Sequence, residues 1–180
     1  MIMLKDKYVK LLQLINTDNI NWVSHSGVPF VICTYDKKDH NDLNRLINKL
    51  KTDITNYEIQ TINMEELIFN IIEENETIDG IIQLEKQEKD LNLGKELGEL
   101  ILEETREYFI SKAEEMGENG RLIVTRVGST PVYFNFIRLL TYLEGRVKIP
   151  TVFFYPGSYD KFSVRLLDEY KETALRALII

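Results

Sequence analysis

A three-layer α/β domain with a mostly parallel sheet of about five strands is the fold this sequence predicts. Three observations predict it. Residues 29–35 (PFVICTY), 121–127 (RLIVTRV) and 149–155 (IPTVFFY) are near-continuous apolar runs, as strands buried on both faces must be. The second and third runs are joined by a segment of helical periodicity, the pattern of a parallel crossover. In that segment Val132, Phe136, Leu139, Leu140 and Leu143 fall on one stripe of a helix reaching about Glu144. Thr130 is its expected N-cap and Pro131 its first residue, where a fixed φ and a missing amide proton cost nothing.

Taken in order, residues 4–15 carry Leu4, Tyr8, Leu11, Leu12 and Ile15 at helical spacing, so a first helix docks on the sheet. A polar stretch comes next, in which Trp22 and Val23 anchor the loop or serve a partner. After the first strand, a helix over 40–51 presents Leu43, Leu46, Ile47 and Leu50 on one face. Residues 57–62 alternate more and fit an edge strand. Asn63 is then a natural N-cap, with Glu65 and Glu66 at the positive end of the next helix dipole. Leu67, Ile68, Ile71 and Ile72 are its buried face. Residues 76–118 read as a helical insertion between the second and third strands, mostly one long helix from Leu93 to Met116 whose start Gly94 and Gly98 weaken. Its glutamates, including Glu103, Glu107 and Glu114, are a solvated face or a docking surface. Past Asp160, residues 163–172 read as a short helix or strand, and residues 174–180 as a final apolar strand.

At 180 residues, with 44% hydrophobic and 28% charged, the whole chain (residues 1–180) is expected to form one globular domain. The net charge of −7 is a poor match for nucleic acid, whose phosphates are neutralised by Lys and Arg. Cys33 is the one cysteine, which excludes an internal disulfide, and its apolar strand makes it a buried, inert thiol. The first residues mix charge into a short apolar run, unlike a signal peptide, and no run approaches the roughly 18 apolar residues of a membrane span. The cytoplasm is the expected compartment.

Motifs for chemistry are sparse. Gly128, Ser129 and Thr130 come after a strand and open a helix, where free amides and the helix dipole bind anions. The alternative is a plain capped turn. The Gly-x4-Gly-Lys spacing is missing, so no lysine reaches a β- or γ-phosphate, and neither ATP binding nor NTP hydrolysis is expected. His25 and His40 belong to no metal-binding pattern, no Gly-x-Ser-x-Gly surrounds Ser129, and no metal, cofactor or catalytic residue is expected. Pro156-Gly157 reads as a type II turn. Tyr155, Gly157, Tyr159 and Asp160 either pack around it or form a partner-binding rim at the carboxyl ends of the strands. Arg165 and Arg176 pair there with Asp36 or Asp160, or bind an anion.

The stretch from 121 onward resembles the BrxB family of bacteriophage-exclusion (BREX) systems. The matching residues are Val127-Gly128-Ser129, the pair Leu139-Leu140, and Ile149-Pro150 leading into Tyr155-Pro156-Gly157, Tyr159 and Asp160. They continue with Ser163-Val164-Arg165-Leu166-Leu167 and close on Leu175-Arg176-Ala177-Leu178. The chain departs from the family pattern at Lys161, Leu167, Ala174 and Leu175, as a divergent member would. The resemblance implies a non-enzymatic component of a BREX-type phage defence system, a scaffold or adaptor for a PglZ-like partner of the alkaline phosphatase superfamily. The alternative is a nucleotide- or anion-binding regulator using the helix N-terminus at Gly128–Pro131.

Overall fold

A computed structural model describes residues 4–17, 27–75, 93–160, 163–166, 170–173 and 176–180. Trp22, His25, the segment 76–92, Lys161, Leu167, Ala174 and Leu175 lie outside the described residues. The helices are α1 (Leu4–Ile15), α2 (His40–Asp53), α3 (Met64–Asn75), α4 (Leu93–Met116) and α5 (Phe136–Leu143). The strands are β1 (Phe30–Tyr35), β2 (Glu58–Asn63), β3 (Gly120–Thr125), β4 (Thr151–Asp160), β5 (Ser163–Leu166), β6 (Tyr170–Thr173) and β7 (Leu178–Ile179).

Five strands pair in the order β2-β3-β4-β1-β7, and every pairing along that path is parallel. All six residues of β1 are buried, as its unbroken apolar sequence requires, whereas β2 at the edge leaves Glu58 and Thr61 exposed. Two apolar layers flank the sheet. On one face α1 and α2 bring Leu11, Ile15, Leu43 and Leu50 against Val31, Cys33, Val152 and Phe154. On the other, α3, α4 and α5 pack Ile68, Phe109, Phe136 and Leu140 against Ile32, Val124, Phe153 and Tyr155. Between β2 and β3 the chain is helical, with α3 followed by α4, the long helix of the expected insertion over 76–118. Asn63 caps α3 as expected, its Oδ1 accepting from the amide of Glu65 at 3.1 Å. Burial pushes the Cys33 thiol up to about 12, which keeps it protonated and inert.

Two local expectations are corrected. The crossover helix does not start at Thr130-Pro131. Val127–Val132 is a 3-10 segment, α5 begins at Phe136, and its cap is Asn135, whose Oδ1 accepts from Ile137 N at 2.7 Å. The hydroxyls explain the difference: Ser129 Oγ donates to Arg126 O at 2.7 Å and Thr130 Oγ1 to Val127 O at 2.9 Å. Such short-range bonds compete with α-helical pairing and favour the tighter helix. Val132, expected on the buried stripe, is instead 80% exposed. The second correction is Pro156-Gly157, which is no turn. β4 runs through it to Asp160, pairing in parallel with β1 as far as Pro156 and antiparallel with β5 from Gly157 onward. Proline has no amide to continue the parallel ladder, so the strand leaves the sheet there as the first member of a β4-β5-β6 meander.

The two glycines of α4 have opposite meanings. A Cβ on Gly98 would lie 2.3 Å from the carbonyl oxygen of Tyr133, while one on Gly94 would meet nothing within 4 Å. Gly98 is thus where α4 approaches the backbone leading into α5, next to the fork of Arg138 on Glu99 at 2.7 and 2.8 Å. Gly94→Ala is expected to stabilise the protein by about 0.5–1 kcal/mol through helix propensity. Gly98→Ala should destabilise it by about 1–3 kcal/mol through overpacking. Urea denaturation of the two variants checks this; equal shifts of one sign would remove the close approach as the cause.

Candidate functional site at the carboxyl rim

Because the five sheet strands are parallel, their carboxyl ends share one rim, and the segments leaving those ends are brought together there. An open cavity of about 340 Å³ lies in this rim. Its walls come from four strands: Tyr35 at the end of β1 with His40 at the start of α2, Glu65 just after β2, Arg126 with Gly128 and Ser129 after β3, and Pro156 of β4. The helices that come after β1 and β3 leave on opposite faces of the sheet, α2 on one and α5 on the other. The cavity sits over that divergence, the switch point at which open α/β sheets bind ligands.

Arg126 has φ +58 and ψ +27, a left-handed conformation that a residue with a Cβ adopts at a cost of about 1–3 kcal/mol. Among the described residues it is the one non-glycine with positive φ. Its guanidinium meets Glu65 only loosely, with Nε 3.8 Å from Oε2 and both side chains about half exposed. The pair is beyond hydrogen-bonding distance and adds little stability. Gly128 is held tightly, since a Cβ there would come 2.9 Å from Pro156 Cγ, which lets the β3 exit close over β4. His40 is half-buried with its ring 6.2 Å from that of Tyr35, and its Nε2 is enclosed with no hydrogen-bond partner among the described residues. Burial pushes the Tyr35 phenol up, opposed in part by the Arg126 charge.

The residues expected to form one site divide into four places. Gly128 and Ser129 line the cavity, but in a 3-10 segment, and Thr130 is buried with its hydroxyl bonded to Val127 O. Tyr155 belongs to the core, fully buried with its ring 5.6 Å from Phe136. Gly157, Tyr159, Asp160 and Arg165 lie on the meander, where Tyr159 is 42% exposed and Arg165 exposed. Arg176 is at the opposite, amino edge of the sheet, two residues before the Val31–Leu178 pair. There it pairs with Glu144 at 2.9 Å rather than with Asp36 or Asp160, while Asp36 takes Lys38 at 3.1 Å. Sequence reasoning missed Arg126, Glu65, His40 and Tyr35 as members of a site. For Arg126 the signal was present, because it comes directly after β3 and two residues before Gly128.

The family comparison adds what the geometry cannot. The family model described as BREX protein BrxB matches residues 60–178. The chain belongs to the BrxB family. The match begins within β2, well upstream of residue 121, so it takes in α3, α4, Glu65 and the β3 exit as well as the meander. No curated protein matches the chain. As a BrxB family member the protein is a component of a BREX phage-defence system. No described helix is long and apolar enough to cross a membrane, and no group of three or more metal-ligating residues occurs among the described residues.

Proposed function

We propose that this BrxB family member is a non-enzymatic, cytoplasmic scaffold of its BREX assembly that binds a PglZ-like partner through the β4-β5-β6 meander. The observation that carries this reading is the departure of β4 from the sheet. From Gly157 onward it builds a small antiparallel ladder that takes no part in the parallel core, and β6 pairs only with β5 among the described residues. A ladder of this kind offers backbone groups for strand addition, and Tyr159 and Arg165 supply exposed side chains of the types that dominate interfaces. The partner's class comes from the family resemblance, and other defence-system proteins are partners by membership.

The test is co-purification with a PglZ-like protein of a BREX system, together with phage protection in cells. Tyr159→Ala, Asp160→Ala and Arg165→Ala combined should leave folding intact and weaken binding by about 2 kcal/mol or more, roughly thirtyfold, with loss of protection. Charge reversal at Glu103, Glu107 and Glu114 on α4 tests the competing surface in the same assays. Loss of binding only in the α4 variant would move the interface to the insertion. Normal binding by both variants with protection still lost would defeat the scaffold reading.

A further inference from the structure

We propose that the rim cavity is a binding site for a singly phosphorylated, mononucleotide-sized ligand, with Arg126 as the phosphate anchor. This goes beyond the scaffold reading and is independent of it. Size and place come first: about 340 Å³ falls in the range of small-molecule sites, and the cavity lies at the switch point of the sheet. Chemistry decides the class. The wall sets the Arg126 guanidinium and the Glu65 carboxylate beside the rings of Tyr35 and His40. The Ser129 hydroxyl already donates to Arg126 O, so the guanidinium is the group that recognises an oxyanion. A single cation, and no lysine in the lining, limits the charge to one phosphate group.

The Arg126–Glu65 contact is what makes this a site rather than a filled salt bridge. At 3.8 Å, with both groups half exposed, the guanidinium keeps donors available, and its backbone is held left-handed where the chain leaves β3. Glu65 repels a bare phosphate but accepts hydrogen bonds from hydroxyls. A ligand that carries a phosphate on a hydroxylated body, as a ribose monophosphate does, uses both groups. Inorganic phosphate uses only one.

Calorimetric titration of the full chain with AMP, adenosine and inorganic phosphate tests the assignment. AMP should bind with a Kd below about 1 mM and be displaced by phosphate, while adenosine should not bind at the same concentrations. Arg126→Asn removes the guanidinium with a residue that tolerates the left-handed conformation, so the fold should persist and AMP affinity should fall about tenfold or more. Glu65→Gln, on an exposed helical position, should tighten inorganic phosphate by relieving repulsion. The proposal is overturned if wild-type protein binds no AMP at about 10 mM, if adenosine binds as tightly as AMP, if Arg126→Asn binds AMP like wild type, or if Glu65→Gln weakens phosphate.

Discussion

Arg121→Met is expected to lower the unfolding free energy by about 3–5 kcal/mol, the largest effect expected of any single substitution proposed for this chain. Arg121 opens an apolar strand and is only 1% exposed. Its guanidinium fans across backbone carbonyls, donating to Gly120 O at 2.8 Å, Ile15 O and Glu118 O at 3.2 Å, and Thr17 O at 3.3 Å. It also lies 3.6 Å from the centre of the Tyr57 ring. Ile15 and Thr17 are the carboxyl end of α1, where the helix dipole is negative, so the buried charge meets a matched field. Burying the guanidinium costs several kcal/mol by itself, and methionine avoids that cost while nearly filling the volume. Against this, methionine leaves carbonyls from two segments without their donor, at about 1–3 kcal/mol each. The second effect wins because several carbonyls are involved. Arg121→Lys keeps the charge but not the planar fork or the ring contact and should lose about 2 kcal/mol. Urea denaturation measures both, and hydrogen exchange should show α1 loosening first. A methionine variant within about 1 kcal/mol of wild type would mean that water replaces the clamp.

How much of each feature could be read from the sequence depends on how local that feature is. β1, β3 and the first half of β4 were legible because strands covered on both faces must be apolar throughout, and Asn63 was legible because a cap acts within three residues. The start of α5 was not, since Thr130-Pro131 and Asn135 are both competent starts. The close contact of Gly98 with Tyr133, together with the hydroxyl bonds of Ser129 and Thr130, accompanies the later one. Tyr155 could have been placed correctly: it shares the two-residue period of Phe153, and both rings pack on Phe136. Arg176 and the cavity residues could not. Their neighbours depend on β7 lying beside β1 and on β4 lying between β3 and β1, an order that no local pattern specifies.

Gly157→Val is expected to lower stability by about 1–3 kcal/mol, for a reason different from the turn its sequence resembles. Gly157 sits inside β4 with φ +151, a conformation open to glycine and strained for any residue with a Cβ. The position is where one strand serves two ladders. Tyr35–Pro156 is the last parallel pair with β1, and Gly157–Leu166 is the first antiparallel pair with β5. A residue forced back to negative φ would rotate the outgoing strand and misalign Tyr159 and Arg165 relative to the sheet. Gly157→Ala separates the causes. If backbone strain dominates, alanine should lose most of what valine loses; if β-branching dominates, alanine should lose little. Denaturant unfolding supplies the magnitudes, and partner binding at a temperature where both variants remain folded supplies the consequence. Wild-type unfolding midpoints for both variants would show that the strand passes Gly157 without needing its freedom. The meander would then lose the device that sets its angle to the parallel core, and with it the argument that its orientation was built for a partner.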